Sequence, residues 1–277
     1  MELTVPLGDG LALRIADQPI GDAFPTARLQ KGLLLLREGL DLAEEGVGFG
    51  VPVLKRGAQT VFPGGVRLDE QWDGPRRLIM ATFQMNLVER LAGAQGRGPT
   101  SRSFYAVRDL LAALHRRVPQ LRRLLTAVSN AVRRRREWVT TFEETDVCAA
   151  VAVTYRIDAD RARVGIVVDA RGLPEIGITE VVIMNELGAH HFDQYLDSDG
   201  ARLRGSKIGT WSEVTAASAC FASTGSRVGF CVRQAAGARL YRGRELVDTR
   251  LAWSGFGYSF SPDMGSFAFD VAIKRAP

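Results

Sequence analysis

The chain has 277 residues, 46% of them hydrophobic and 24% charged, a balance that excludes an intrinsically disordered chain and fits a soluble globular protein. The formal net charge of +5 is unevenly placed, because residues 101–136 hold ten arginines and one acid, Asp109. That segment therefore carries +9, and the remainder carries −4. No apolar run is long enough for a transmembrane helix. Residues 1–10 lack the basic and apolar regions of a signal peptide, so we expect none.

The first part of the chain is predicted to form strands. Residues 1–72 contain the short apolar runs LALRI, GLLLL, VGFGVPVL and QTVF, separated by the turn signals GDG, RGA and FPGG. Residues 78–91 fit either a long strand or a helix, and Thr82, Phe83 and Val88 favour the strand. A glycine-rich loop, AGAQGRGPTS, follows.

The periodicity then changes over residues 101–136, where apolar residues recur every three or four positions, as on one side of an amphipathic helix. These apolar residues are Phe104, Val107, Leu110, Leu111, Leu114, Val118, Leu121, Leu124, Leu125, Val128 and Val132. Pro119 should kink or split this helix. We therefore predict one bent helix or a helical hairpin that packs its apolar stripe on a sheet.

From Thr140 onward the period returns to two, over runs such as DVCAAVAVTYRI, ARVGIVVDA, ITEVVIM and FAFDVAIK. Many short strands at close spacing are typical of an antiparallel sandwich or barrel. We predict a mainly β fold, a large antiparallel β-sandwich interrupted by the helical element at about 101–136. The whole chain, 1–277, is predicted to form a single domain with that insertion.

The three cysteines, Cys148, Cys220 and Cys231, all lie in apolar runs. No pair has the C-x-x-C spacing of a thiolate zinc site. We interpret them as free buried thiols, which fits a reducing cytoplasm. The predicted location is therefore cytoplasmic.

Glycines alternate with apolar residues in the stretch EEGVGFGVPVL, which runs from Glu44 to Leu54. A dinucleotide fingerprint would need glycine where Val51 or Val53 stands, and no P-loop or G-x-S-x-G elbow occurs. The alternation favours a strand with one face bare of side chains. Such a face either packs closely against another element or forms the floor of a groove. The stretch LAWSGFGYSF, which contains Trp253, has the same pattern.

A polar cluster occupies the stretch MNELGAHHFDQYLDSDG. His190 or His191 beside Glu186 could transfer protons, so these three residues are the catalytic candidates. A metal site lacks a third convincing ligand, and we predict neither a metal nor a cofactor. Glu44 and Glu45 are interpreted as ordinary exposed glutamates.

The arginine-rich helix offers a different function. Its exposed side could hold an anionic partner such as nucleic acid, an acidic protein or a membrane surface. The residues opposite the apolar stripe are Arg108, Arg116, Arg123 and Arg134. A solvated outer helix face would show the same placement, so both interpretations stay open.

The combination GLLLLREGLDLAEEGVGFGVPVL…TVFPG, together with the β-rich C-terminal part, resembles the galactose mutarotase-like supersandwich that some polysaccharide lyases share. The resemblance implies a histidine and a carboxylate on a concave sheet, and it assigns no residue here. We therefore expect the protein to bind a carbohydrate-like ligand. Whether it also modifies that ligand by acid–base chemistry, as an epimerase or lyase does, stays open. The aromatic candidates for stacking on it are Trp72, Tyr195, Trp211 and Trp253.

Overall fold

The computed structural model describes residues 1–18, 29–57, 59–74, 76–92, 139–223, 225–248 and 251–275. Contacts divide the chain into two compact units, Met1–Val88 with Glu144–Pro277, and Glu89–Glu143. The predicted helix at about 101–136 lies outside the described residues. The same holds for the four arginines proposed to hold an anionic partner, Arg108, Arg116, Arg123 and Arg134. The single-domain assignment stays a prediction.

The described residues form eighteen β-strands. Their bounds are β1 (Glu2–Gly8), β2 (Leu11–Ala16), β3 (Leu34–Arg37), β4 (Leu40–Asp41), β5 (Gly48–Arg56), β6 (Gln59–Asp73), β7 (Arg76–Ala92), β8 (Val139–Asp158), β9 (Arg163–Asp169), β10 (Glu180–Gly188), β11 (Gln194–Asp197), β12 (Arg202–Arg204), β13 (Ser212–Glu213), β14 (Ser218–Ala222), β15 (Val228–Arg233), β16 (Ala238–Asp248), β17 (Leu251–Phe260) and β18 (Ser266–Arg275). In the described part of the chain, three short 3₁₀ turns, Pro174–Ile176, Gly205–Ile208 and Pro262–Met264, lie between strands.

The strands belong to two antiparallel sheets. The smaller sheet has the order β1-β2-β3-β4, and the larger has the order β12-β11-β14-β15-β18-β9-β8-β7-β6-β5-β10-β17-β16-β13. The mainly β, antiparallel architecture is therefore confirmed, and the ambiguous segment 78–91 is part of strand β7. The described residues contain no helix of seven or more residues. None of their helices is long and apolar enough to cross a membrane.

The two-residue period places one face of each strand in the core. In β9, Val164, Ile166 and Val168 are fully buried, and the residues between them are at least partly exposed. Successive strand side chains point to opposite faces, so this alternation buries one face and leaves the other to solvent. Removing each such side chain from water contributes roughly 1.5–3 kcal/mol to folding.

The glycine stretch at the start of β5 serves close packing and does not leave a bare groove. Gly48 and Gly50 have φ values of 83° and 76°, which favour glycine. A Cβ on Gly50 would lie 2.7 Å from the Tyr155 ring, and a Cβ on Gly46 would lie 2.6 Å from the Glu186 carbonyl oxygen. Other protein groups thus occupy the space that these glycines leave.

Two of the three cysteines are not free thiols. Cys220 and Cys231 form a disulfide, and Cys148 is free and half-buried. The prediction of three free thiols was therefore wrong for this pair. That prediction rested on the apolar runs around the cysteines and on their spacing along the chain. The bond instead depends on the register of β14 and β15, which places Cys220 directly opposite Cys231.

Candidate functional site

Three neighbouring strands carry a polar and aromatic surface, here called the site face. The register pairs Glu186 of β10 with Gly255 of β17, and Gly188 with Trp253. On the other side of β17, Trp253 is opposite Glu245 of β16. Residues directly opposite in paired strands share a face, as do alternate residues of one strand. Glu186, Gly188, Trp253 and Glu245 therefore lie on one face, and the opposite face packs into the core.

Two tryptophans lie against this face where glycines leave room for them. The rings of Trp211 and Trp253 are stacked, with centroids 4.9 Å apart and planes at 28°. A Cβ on Gly257 would lie 2.9 Å from the Trp211 ring, and a Cβ on Gly243 would lie 2.7 Å from the Trp253 ring. Trp253 is buried and Trp211 is half-buried, so the outer ring of the stack is partly open to solvent.

At the end of β10, the side chain of Glu44 lies between two histidines. Its Oε2 is 3.1 Å from His190 Nδ1, and its Oε1 is 3.0 Å from His191 Nε2. The carboxylate is close to the position that a side chain on residue 188 would occupy, since a Cβ on Gly188 would lie 2.6 Å from Glu44 Oε2. Because Gly188 is paired with Trp253, the histidine cluster adjoins the site face.

This arrangement favours one tautomer of His190. A carboxylate only accepts hydrogen bonds, so the His190 ring donates to Glu44 from Nδ1, and His191 Nε2 lies 3.0 Å from Glu44 Oε1. The lone pair of neutral His190 is then on Nε2, and the side chain of His190 is 46% exposed. A carboxylate that orients an imidazole in this way is a recurring device of general acid–base catalysis.

The turn that carries the histidines is held at several points. The Gly188 amide donates to Leu42 O, and the Ala189 amide donates to Ala252 O. The Arg244 guanidinium donates to Ala189 O over 3.0 Å. Phe192 is fully buried and anchors the turn in the core. These contacts place the imidazoles before any ligand binds.

Glu44 itself has an unusual backbone conformation, with φ at 46°, in the left-handed region. Lysine is rarely buried, yet Lys31 is 4% exposed, and its Nζ donates to the Glu44 carbonyl oxygen. Burial lowers the pKa of Lys31, and the nearby Asp41, Glu45 and Glu44 oppose that shift. Strained residues held by buried polar contacts concentrate at functional sites.

Glu186 is a second acidic group, separate from the histidine contacts. Its side chain is 4% exposed, and within the described part of the chain its Oε1 has no hydrogen-bond partner. Burial, and then the charge of Glu245, raise the pKa of Glu186 to about 8. A carboxyl group in this state retains its proton at neutral pH and can act as an acid.

The structure brings together most, but not all, of the predicted site residues. Glu186 and Trp253 lie on the site face, Trp211 stacks against it, and His190 and His191 adjoin it. The two histidines contact Glu44, and not Glu186 as the sequence had suggested.

Two of the aromatic candidates lie elsewhere. Trp72 is near the end of β6, is 67% exposed, and has the Arg77 guanidinium 5.8 Å from its ring. Tyr195 is fully buried, with Phe256 among its ring contacts. Its hydroxyl donates to Asp197. The buried ring of Tyr195 cannot serve as a stacking surface for a ligand. Trp72 lies on β6, outside the three strands of the site face.

Sequence reasoning missed the central residue, Glu44, and treated it as an ordinary exposed glutamate. Its partner His190 is 146 positions away in the chain, so no local pattern joins the two. Glu245 was missed for the same reason. Among the described residues, no group of three or more His, Cys, Asp or Glu side chains is arranged to hold a metal ion.

Comparison with known proteins gives distant structural similarities. No family model matches the chain, and no curated protein matches it. A solved structure of the alpha-N-acetylgalactosaminidase NagBb from Bifidobacterium bifidum, in complex with Gal-NHAc-DNJ, is similar over the whole of this chain, with a TM-score of 0.49 and 11% identity. This chain spans only 36% of the length of that enzyme.

Two smaller proteins are also similar. HI1317 has a TM-score of 0.35 and 7% identity, with 99% of this chain and 100% of that chain covered. Slr1438 from Synechocystis sp. PCC 6803 has a TM-score of 0.38 and 8% identity, with 99% and 96% covered. TM-scores below 0.5 at such low identity do not establish a shared function.

Proposed function

We propose that the site face binds a neutral, saccharide-like ligand and that the adjoining histidine cluster moves protons on it. The observation that carries this proposal is the Glu44 carboxylate, which lies between two imidazoles beside the strand position paired with Trp253. An oriented base next to stacked aromatic rings is what proton transfer on a bound polyol requires.

Binding would use the half-buried Trp211 ring. The apolar C–H faces of a sugar ring pack against aromatic rings, and its hydroxyls need acceptors. Glu44 and Glu245 lie on or beside this face, are partly exposed, and supply carboxyl oxygens. A surface of this kind disfavours acidic sugars, because their carboxylate or sulfate groups would be repelled.

The proposed chemistry depends on the exposed imidazole of His190 and on the Glu44 carboxylate that orients it. His190 Nε2 accepts a proton from a ligand hydroxyl or an activated C–H bond, and Glu44 stabilises the imidazolium that forms. The His190 imidazolium then returns the proton to the ligand atom that gains electrons. The reaction class is proton transfer without redox change, as in anomer interconversion or epimerisation.

The test is nuclear magnetic resonance of a panel of neutral, amino and acidic monosaccharides in deuterated water. Exchange spectroscopy detects anomer interconversion, and loss of a proton signal detects exchange at carbon. We expect catalysed exchange of at least one neutral sugar. We also expect a loss of about 10²–10⁴-fold in Glu44→Gln or His190→Gln.

The matched control is Glu175→Gln, which makes the same change at an exposed position away from the site. It should behave as the wild type does. Wild-type rates in a double His190→Gln, His191→Gln variant would remove the proposed role of the histidines. A chain that neither binds nor converts any sugar in the panel would refute the function itself.

A further inference from the structure

A concave surface lies on strands of the large sheet that are not part of the site face. It is a cavity of about 410 Å³, within the range of small-molecule sites. None of the residues that line it belongs to the site face. The charged residues of the lining are Arg76, Arg156, Asp158, Arg161, Arg163 and Asp270.

The cavity exists because the residues between these charges are small. Gly165 of β9 is paired with Arg156 of β8 on one side and with Asp270 of β18 on the other. A Cβ on Gly165 would lie 3.4 Å from Asp270 Oδ1 and 3.6 Å from Arg156 Cβ, which are ordinary contacts, so the position has no side chain but would tolerate one. Val167 and Ala268, the next pair along the strands, continue the floor.

The arginines are only partly neutralised by the two aspartates. Asp158 pairs with Arg161 at 3.0 Å and with Arg76 at 3.9 Å. Asp270 pairs with Arg163 at 2.6 Å.

Arg156 makes no ion pair within the residues that the structure describes. Four arginines and two aspartates leave a net charge of +2 in the cavity. The ion pairs are solvent-exposed and therefore weak, so an incoming anion can recruit their guanidiniums.

We infer that this cavity binds a small oxyanion of charge −2, such as a phosphate or sulfate group. Planar guanidinium groups match the oxygen geometry of such anions, with two parallel hydrogen bonds from each. The net charge of the lining balances a dianion and not a monoanion. The inference does not depend on the proposed function, because the two surfaces share no residue.

Isothermal titration calorimetry of the full chain at fixed ionic strength tests this site, with inorganic phosphate, sulfate and acetate as probes. We expect saturable one-site binding of phosphate or sulfate, and much weaker binding of the monoanion acetate. Comparison of the first two probes shows which dianion the site prefers. Arg156→Gln and Arg163→Gln should each weaken binding at least about tenfold, since each removes a charge-assisted contact.

The matched control is Arg171→Gln. Arg171 is exposed and pairs locally with Asp169, and it does not line the cavity. Binding that is unchanged in Arg171→Gln and lost in Arg156→Gln supports the site. Absence of saturable binding by either dianion, or equal affinity in wild type and Arg156→Gln, overturns it. Circular dichroism of each variant establishes that the fold is intact, which the exposure of these side chains leads us to expect.

Discussion

Replacing Gly188 by alanine should disconnect Glu44 from the histidines without altering any of the three side chains. The new Cβ would lie 2.6 Å from Glu44 Oε2, whereas ordinary contacts begin at 3.4 Å. The carboxylate must therefore move by about 0.8 Å, the difference between these distances. A shift of that size is enough to break the 3.1 Å hydrogen bond to His190 Nδ1.

Long-range ¹H–¹⁵N correlation spectra of the imidazole rings measure the result directly. At about pH 8.5, where model histidines are neutral, the wild type should carry the His190 proton on Nδ1. In Gly188→Ala the population with a proton on Nε2 should rise. Because a misplacement near 1 Å can cost about a hundredfold in rate, any turnover should fall by that order. The free energy of unfolding should change by no more than about 1 kcal/mol, since only a flexible side chain has to move.

Gly46→Ala is the control that separates stability from site geometry. A Cβ there would lie 2.6 Å from the Glu186 carbonyl oxygen and 2.9 Å from Leu187 Cα, and both atoms belong to the backbone of a central strand. We expect this variant to lose roughly 1–3 kcal/mol of stability through overpacking. If Gly188→Ala keeps the wild-type tautomer of His190, then Glu44 does not orient that ring and our reasoning is refuted.

Three further outcomes follow from the structure. The raised pKa of Glu186 means that, between its ordinary value of 4.5 and about 8, the folded state holds a proton that the unfolded state releases. Stability should therefore fall as the pH rises through this window, by on the order of 5 kcal/mol, and Glu186→Gln should remove that fall in pH-dependent denaturant unfolding. Because their rings are stacked, Trp211→Phe and Trp253→Phe should each abolish the same exciton-coupled circular dichroism band, and a band that survives either change argues against the stack. The Cys220–Cys231 bond spans 11 residues, so its reduction should cost about 2–3 kcal/mol, with the linked peptides seen by mass spectrometry only before reduction.

The sequence predicted the strands well because their signal is local. The alternation in β9 and β18 is visible in any six residues, and burial of one face follows from it. The role of the glycine stretch before Val51 was also predicted in part, because close packing against another element was one of the two interpretations of its pattern. What occupies the space at Gly50, the Tyr155 ring, comes from a strand 105 positions away.

The site was less predictable because it depends on register between distant strands. The positions of His190 and Glu186 in the sequence suggested a functional pair, but the residue that contacts His190 is Glu44. Glu44 adopts a φ angle in the left-handed region, and no local sequence pattern predicts that conformation for a glutamate. Tyr195 was misjudged for a related reason, since a tyrosine in a polar stretch gave no sign that its ring is buried.

The most direct test of the proposed ligand site is to follow the indole N–H signals of the tryptophans while a mixture of neutral monosaccharides is added. We expect the signals of Trp211 and Trp253 to shift together and saturate, and the signal of the exposed Trp72 to stay in place. Movement of the Trp72 signal alone, or no movement of any indole signal at high sugar concentration, would contradict it.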